Sequence, residues 1–393
     1  MKIIFLSHWF PPCNEIGAVR PYEMTRFLVS AGHDVTVVTS SGNCSPQTYQ
    51  PNMSGINVIR VQIPRIMRYA DSPSQNLFKR LIKRLFYPDP FILMKRKLLD
   101  EGRKAVSGKV DLVISSGLPF STHVVARELS MHLKTAWIAD NRDLWASTPY
   151  RRQFLGSQFI DLMYERRILN SASCCLVIGN GMLDELRRRL PTMKIHVLMN
   201  GADCSFGERV YSDYDRDKVS FVYTGTLYKG RRDVSPLLNA LADENFRARV
   251  CFYGAEPEFV NQYAVRYHSV NICNGGRVSK QEIKKIQESA NFLVLALGTH
   301  DFEKTVLTGK FFEYLETGRP IIALCDNDSE LASLVKKYRL GCATRDWREI
   351  SEFVRSVVSK NKWLGAVPKE LTREYQMEKT LPSAIAKAST LGW

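Results

Sequence analysis

The sequence predicts an α/β protein made of two Rossmann-like domains facing across a cleft. Short runs rich in Val, Ile and Leu alternate with segments of helical period, the pattern of a parallel sheet covered on both faces. The alternation runs twice, with the polar stretch "NGADCSFGERVYSDYDRDK" in between. A chain of 393 residues has the length for two such domains. We place the first at residues 1–205 and the second at 206–375, with a terminal helix at about 376–393 packing back on the first.

In the first half, "KIIFL" reads as the opening strand. A Pro-rich loop follows, then the helix "GAVRPYEMTRFLVSAGH", which stops at Gly32. The strands "DVTVVTS", "INVIRVQI", "DLVISS", "TAWIAD", "CCLVIG" and "KIHVLMN" come next, with the helices "STHVVARELSMHL", "QFIDLMYERRILNSA" and "GMLDELRRRL" among them. The second half has strands "VSFVYTG", "RARVCFYG", "SVNICNGG", "NFLVLALG" and "PIIALC". Its helices are "SPLLNALA", "SKQEIKKIQESA", "KFFEYLET" and "SELASLVKKY", and the tail from Trp363 to Trp393 is mostly helical in pattern. Open α/β sheets bind ligands beyond the carboxyl ends of their strands. The loops to inspect are therefore "SHWFPPCNEIG", "SSGLPFSTH", "ADNRDLW", "TGTLYKGRRD", "NGGRV" and "GTHDFEKTVLTGK".

Composition is that of a soluble globular protein, 45% hydrophobic and 24% charged. The net charge of +15 points to anionic partners. Nine cysteines, an odd number without C-x-x-C, read as reduced thiols of a cytoplasmic protein rather than a disulfide frame or zinc site. "MKIIFLSHWFPPC" is too short and wrongly flanked for a signal peptide, and no apolar run is long enough to span a bilayer. The expectation is a cytoplasmic protein, at most peripheral on the inner face of the plasma membrane.

The stretch "TGKFFEYLETGRPIIAL" carries the sharpest chemistry. At 100° per residue, Phe311, Phe312, Tyr314 and Leu315 share one helix face, while Lys310, Glu313 and Glu316 share the other. The simpler reading is a solvated Lys310–Glu313 pair. Yet a lysine in the first turn opposes the helix dipole, and Gly309 exposes backbone N–H groups there. Both suit a bound diphosphate, with a carboxylate nearby for ribose hydroxyls. The loop "TGTLYKGRRD" repeats the theme with Gly225, Lys229, Arg231 and Arg232. Two such loops in one half suggest a nucleotide-diphosphate site.

These elements, in this order, resemble the retaining glycosyltransferases of the GT-B fold, in the large family 4 group of bacterial polysaccharide synthesis. The resemblance spans nearly the whole chain. It rests on "FLSHWFPPCNEIGAVRPYEMTRFLVSAGHDVTVVTS", "SSGLPFSTHVVARELSMHLKTAWIADNRDLWA", "MNGAD", "YTGTLYKGRRD" and "TGKFFEYLETGRPIIAL". It implies that Glu313 binds the ribose of a nucleotide sugar, and that Lys310 with Lys229 and Arg231 or Arg232 holds the diphosphate as leaving group. It also implies donor contacts at Gly17, Arg20, Gly225 and Gly309, and at Gly276, Arg277 and Val278 near the base. An acidic residue in "ADNRDLW" would approach the donor sugar, Asp143 first and Asp140 second; a loop salt bridge or helix cap is the simpler reading. The sequence departs from the family at Thr305, where a first glutamate often stands and Glu303 is out of register, and at Thr226, where an arginine often follows the glycine.

The implied reaction moves a sugar from a UDP- or GDP-sugar to a glycan or lipid-linked glycan with retention, and needs no cofactor or metal. The D-x-D patterns at Asp213 to Asp217 and at Asp326 and Asp328 are weak metal signals. His8 and His123 read more simply as satisfied or solvated histidines. The basic amphipathic stretch within residues 76–106 would suit an anionic membrane surface, or a helix docked on the core. A nucleic-acid partner is not expected, because aromatic and basic residues are not interleaved as a stacking platform. A dinucleotide enzyme is disfavoured because no G-x-G-x-x-G follows "KIIFL". A non-catalytic nucleotide-binding relative or scaffold is the main alternative.

Overall fold

The computed structural model describes residues 1–41, 49–64, 86–147, 157–215, 218–228, 230–243 and 247–390. The chain forms two compact units, Met1–Met199 together with Met377–Trp393, and Asn200–Gln376.

The first unit holds β1 (Lys2–Ser7), β2 (Asp34–Ser41), β3 (Asn57–Gln62), β4 (Leu112–Gly117), β5 (Ala136–Asn141), β6 (Cys174–Val177) and β7 (Ile195–Val197). They form one parallel sheet in the order β3-β2-β1-β4-β5-β6-β7. Its helices are α1 (Ile16–Ser30), α2 (Lys95–Lys104), α3 (Ser121–Leu133), α4 (Ser157–Leu169) and α5 (Asn180–Arg189). The strand order reverses between β1 and β4, so the crevice at their carboxyl ends is the switch point where such sheets bind ligands.

The second unit contains β8 (Gly207–Tyr211), β9 (Ser220–Thr224), β10 (Arg249–Tyr253), β11 (Asn271–Gly276), β12 (Phe292–Ala296), β13 (Ile321–Leu324), β14 (Gly341–Ala343) and β15 (Trp363–Val367). Six of them make a parallel sheet in the order β11-β10-β9-β12-β13-β14. Its helices are α6 (Ser235–Ala242), α7 (Pro257–Arg266), α8 (Lys280–Ser289), α9 (Gly309–Thr317), α10 (Glu330–Lys337) and α11 (Trp347–Lys360). The terminal helix α12 (Arg373–Thr390) follows.

The central strands are buried on both faces, which is why they read as continuous apolar runs. Ile4 and Leu6 pack with Leu99, Val125, Leu129 and Ile168 of the helices on one side. Their neighbours Ile3 and Phe5 face the other way, against Tyr22 and Leu28 of α1 and Met377, Leu381 and Ala384 of α12. In the second unit Phe221, Phe252 and Phe292 anchor a separate core with Leu237, Val260 and Val354. Both units are Rossmann-like, as the alternation predicts.

Two expectations change, and a third falls largely outside the described residues. The tail is not helical throughout: Trp363–Val367 is strand β15, antiparallel to β8. Both are short, and β8 lies in the polar stretch taken as a connector, so neither strand shows a period. Gly365 permits their placement, since a Cβ there would lie 2.0 Å from the Gly318 carbonyl oxygen. The cysteines are not all reduced either. The parallel register sets Cys251 opposite Cys273, Cα to Cα 4.8 Å, and the two form a disulfide; Cys13 is disulfide-bonded as well. Finally, residues 65–85, the larger part of the basic amphipathic stretch, lie outside the described residues. What is described of it is a 3-10 turn at Pro90–Met94 and α2, which buries Leu99 and pairs Lys95 with Glu128 at 2.5 Å. Among the described residues no helix is long and apolar enough to cross a membrane.

Candidate active site

In the first unit, loops at the carboxyl ends of β1, β4 and β5 bring Gly17, Arg20, Asp140, Arg142 and Asp143 together, and the two acids fare differently. Asp140 is fully buried. Arg20 donates to its two oxygens from Nε at 3.0 Å each and to Oδ1 from Nη2 at 2.6 Å. Ser116 donates to Oδ2 at 2.8 Å, and Arg20 Nη1 donates to the Leu198 carbonyl at 2.8 Å. Burial works to raise the Asp140 pKa, but the Arg20 charge and these hydrogen bonds overcome it and hold the carboxyl below its usual range. Asp140 and Arg20 therefore form an enclosed ion pair tying α1 to β5.

Asp143 is half-buried and has no hydrogen-bond partner among the described residues. Burial pushes its pKa up against the opposing charge of Arg142. The chain just after it is fixed by α4: Glu165 accepts from the amides of Trp145 and Ala146 at 2.8 and 3.3 Å, and Asp161 accepts from Trp145 Nε1 at 3.1 Å. Asp161 and Glu165 stand one helical turn apart, so one face of α4 holds the loop and leaves the Asp143 carboxyl available.

Arg142 acts on backbone. It donates to the carbonyls of Gly117 at 2.6 Å, Leu118 at 2.7 Å and Gly17 at 2.8 Å, joining the loops after β1 and β4. Gly17 is a glycine for a packing reason: a Cβ would lie 2.7 Å from Trp9 Cδ1 and 2.9 Å from Arg142 Nη1. His123 is buried beneath this loop. Trp137 Nε1 donates to Ser115 Oγ, and Ser115 bonds His123 Nδ1, both at 2.8 Å. Ser115 Oγ thus bridges the indole and the imidazole and holds the ring at its Nδ1 side. Burial keeps this histidine neutral, with a pKa of about 4.

In the second unit, the ends of β9, β10 and β11 turn through Gly225 (φ 121), Gly254 (φ 78) and Gly276 (φ 67). The Gly225 amide donates to the Tyr253 carbonyl at 2.8 Å and the Gly254 amide to the Gly276 carbonyl at 2.7 Å. A Cβ on Gly225 or Gly276 would meet nothing within 4 Å. These two are glycines for their backbone conformation, and space lies beside them. Arg277 and Val278 are exposed just beyond. Arg231 is exposed, and the Arg232 guanidinium lies 4.5 Å from the centre of the Tyr228 ring. Lys229 lies outside the described residues.

Helix α9 has the predicted phase. Phe311, Phe312, Tyr314 and Leu315 are buried, while Lys310 and Glu313 are half-buried and joined at 2.8 Å. Thr308 precedes Gly309 without a side-chain cap, and among the described residues no side chain takes up the first amides of the helix. Sequence reasoning missed what aims this helix. The Tyr314 hydroxyl accepts from the Thr224 amide at 2.9 Å and donates to the Val294 carbonyl at 3.2 Å, fastening α9 to the ends of β9 and β12. It also missed Arg345, which bonds Asp326 at 2.7 Å and the carbonyls of Leu297 and Gly298 at 3.0 and 2.8 Å, bracing the loop after β12. Glu303 is buried in that loop against Gly298. No local period marks a hydroxyl or guanidinium whose partners are carbonyls of distant strands.

Three of the D-x-D acids are engaged elsewhere, and Asp217 lies outside the described residues. Asp213 accepts from both Nη atoms of Arg319 at 2.7 and 2.9 Å, Asp326 takes Arg345, and Asp328 takes Lys304 at 2.9 Å. Among the described residues no group of three or more His, Cys, Asp or Glu is arranged to hold a metal ion.

Solved structures share this architecture along the whole chain. The apo form of the lipopolysaccharide outer core galactosyltransferase WaaB is 12% identical, with a TM-score of 0.58 covering 98% of this chain and 99% of that one. Anabaena Alr3699/HepE in complex with UDP is 13% identical, with a TM-score of 0.59 covering 100% and 98%. Arabidopsis thaliana UGT89C1 complexed with UDP-L-rhamnose is 13% identical, with a TM-score of 0.55 covering 98% and 99%. No curated protein matches the sequence significantly. Residues 17–201 match the family model of the glycosyl transferase 4-like domain. The chain carries a glycosyl transferase 4-like domain in its first half and has the two-domain GT-B fold along its whole length. The matched range holds Gly17, Arg20, Asp140 and Asp143. It ends at Gly201 (φ 70), whose Cβ would lie 2.4 Å from the Arg373 Cα.

Proposed function

We propose that the chain is a glycosyltransferase that moves a sugar from a nucleotide-diphosphate sugar, with UDP as the favoured nucleotide, to a glycan or lipid-linked glycan in polysaccharide synthesis. The observation that carries the reading is the end of the second sheet. Open glycine turns at Gly225 and Gly276, the exposed Arg231 and the uncapped start of α9 surround the carboxyl ends of β9 to β12. Backbone amides and cations there suit a diphosphate. HepE, which has the same fold, was solved with UDP and with UDP-glucose, and this supports the choice of base.

The bond to break joins the anomeric carbon to a diphosphate oxygen, and the departing dianion needs positive charge. Lys310, Arg231, Arg232 and Lys229 are assigned to it, with the α9 N-terminus. Glu313 is assigned to the ribose hydroxyls, which would share its carboxylate with Lys310. Asp143 is assigned to the donor sugar, because its carboxyl has no hydrogen-bond partner among the described residues whereas Asp140 is held by Arg20. Retention of configuration, with attack on the face of departure, and independence of metal belong to the same proposal. No enzyme nucleophile is assigned.

The test is UDP release from a panel of UDP-sugars with and without a glycan acceptor, for the wild type and for Lys310→Met. The reading expects acceptor-stimulated release that falls at least 100-fold in the variant. Nucleotide binding with no turnover on any donor would support the scaffold alternative instead.

A further inference from the structure

Helix α4 of the first unit turns its acids inward and large apolar residues outward. Asp161 accepts from the Tyr87 hydroxyl at 2.8 Å and from Trp145 Nε1 at 3.1 Å, and Glu165 accepts from Arg189 Nη1 at 2.6 Å. Ile168 and Leu169 anchor the same side to the core. On the outer side Phe159 is 66% exposed, Met163 58% and Ile160 41%. Single exposed apolar side chains are ordinary. Among the described residues, however, no other helix or strand exposes three large ones. At 100° per residue these three, with Arg166 and Arg167, fall within an arc of about 120°.

The charge on this face has one sign. Arg166 and Arg167 are exposed in the last turn of α4. Arg166 Nε donates to the Arg189 carbonyl at 3.0 Å, which sets the end of α5 alongside and brings the exposed Arg187 near. On α5 the exposed Asp184 and the Arg188–Glu185 pair cancel part of the local charge. Arg166, Arg167 and Arg187 themselves make no ion pair among the described residues. The outer arc of α4 thus carries apolar groups in its first two turns, cations in its last, and no carboxylate.

We propose that this face of α4 docks on an anionic phospholipid surface. Phe159, Ile160 and Met163 enter the boundary between head groups and acyl chains, where interfacial helices sit about 5–10 Å deep. Arg166, Arg167 and Arg187 hold their guanidinium groups at the lipid phosphates, which accept bidentate hydrogen bonds. The net charge of +15 draws the chain to such a surface. A second copy fits the face less well. A two-fold contact would set the face on itself, so its arginines would meet arginines with no carboxylate between them. Three apolar side chains also fall far short of the roughly 20 residues a side of a stable interface. The face uses other residues than the basic stretch at 76–106, and it stands whether or not the donor assignment does.

The experiment is co-sedimentation of the full chain with vesicles of mixed phosphatidylcholine and phosphatidylglycerol, and with pure phosphatidylcholine vesicles as the neutral control. The wild type is expected to bind the mixed vesicles, and to bind them more tightly than the neutral ones. Phe159→Gln with Met163→Gln keeps good helix formers at exposed positions and is expected to weaken that binding about tenfold or more. Arg166→Gln with Arg167→Gln is expected to weaken it about 25-fold, at about fivefold for each cation. Both variants should match the wild type in circular dichroism, since every changed side chain is exposed; either one decides the matter should the other unfold. A wild type that ignores the mixed vesicles, binds both kinds equally, or keeps its binding in both variants overturns the proposal. So does a wild-type dimer in sedimentation velocity that Phe159→Gln with Met163→Gln turns into a monomer, because the face then belongs to a second copy.

Discussion

The Arg20–Asp140 pair is the clearest case of two site candidates that the structure spends on architecture. Asp140 is fully buried and Arg20 nearly so, and the carboxylate takes hydrogen bonds from Arg20 and Ser116. Removing one partner leaves a bare charge in a dry site, at a cost of about 3–5 kcal/mol. Asp140→Leu and Arg20→Met should each lower stability by that amount, about 6–10 kcal/mol if summed. The double variant buries no bare charge. Among the partners described above, it leaves the Ser116 hydroxyl and Leu198 carbonyl unpaired, each worth about 1–3 kcal/mol. At matched ends of these ranges it falls short of the sum by about 4 kcal/mol. Urea unfolding followed by circular dichroism measures all four corners of the cycle. Single changes costing under about 1 kcal/mol, or a double change additive within about 0.5 kcal/mol, would refute a structural ion pair. Asp140 would then return as a candidate for the chemistry.

Gly17→Ala should destabilise by about 1–3 kcal/mol, since its Cβ would overlap Trp9 and Arg142; thermal unfolding checks this. Tyr314→Phe should cost about 1–3 kcal/mol and weaken nucleotide binding, because it orphans the buried Thr224 amide and loosens α9; urea midpoints and UDP calorimetry read the two effects. Stability should also fall as pH drops from 6.5 towards 4. His8 and His123 stay neutral in the fold with pKa values of about 3 and about 4, and take up protons once unfolded. The raised carboxyls of Asp143 and Glu165 oppose this trend. Replacing His123 by Phe should therefore reduce the slope near pH 5 by about 1.4 kcal/mol per pH unit, one proton's worth; an unchanged slope contradicts a buried neutral imidazole.

The parallel strands were legible because strands buried on both faces leave continuous apolar runs, and α9 was legible because 100° steps sort its residues into faces. Register was not. Nothing near Cys251 announces Cys273 on the next strand, and β8 and β15 are half-exposed, short and far apart in sequence. Asp140 and Asp143 look equivalent in "ADNRDLW". The fold distinguishes them by bringing Arg20 from 120 residues earlier onto one alone. The hydroxyl of Tyr314 and the guanidinium of Arg345 escaped for the same reason: their partners are backbone atoms that only the assembled sheet supplies.

Calorimetric titration of UDP, GDP and ADP into the wild type and Glu313→Ala tests the central claim most directly. The account predicts that one nucleotide, UDP first, binds, and that the variant weakens it by about 1–3 kcal/mol, the worth of one hydrogen-bonded contact. Failure of all three nucleotides to bind, or equal binding by the variant, would reduce the Lys310–Glu313 pair to a surface ion pair and remove the donor site from the end of the second sheet.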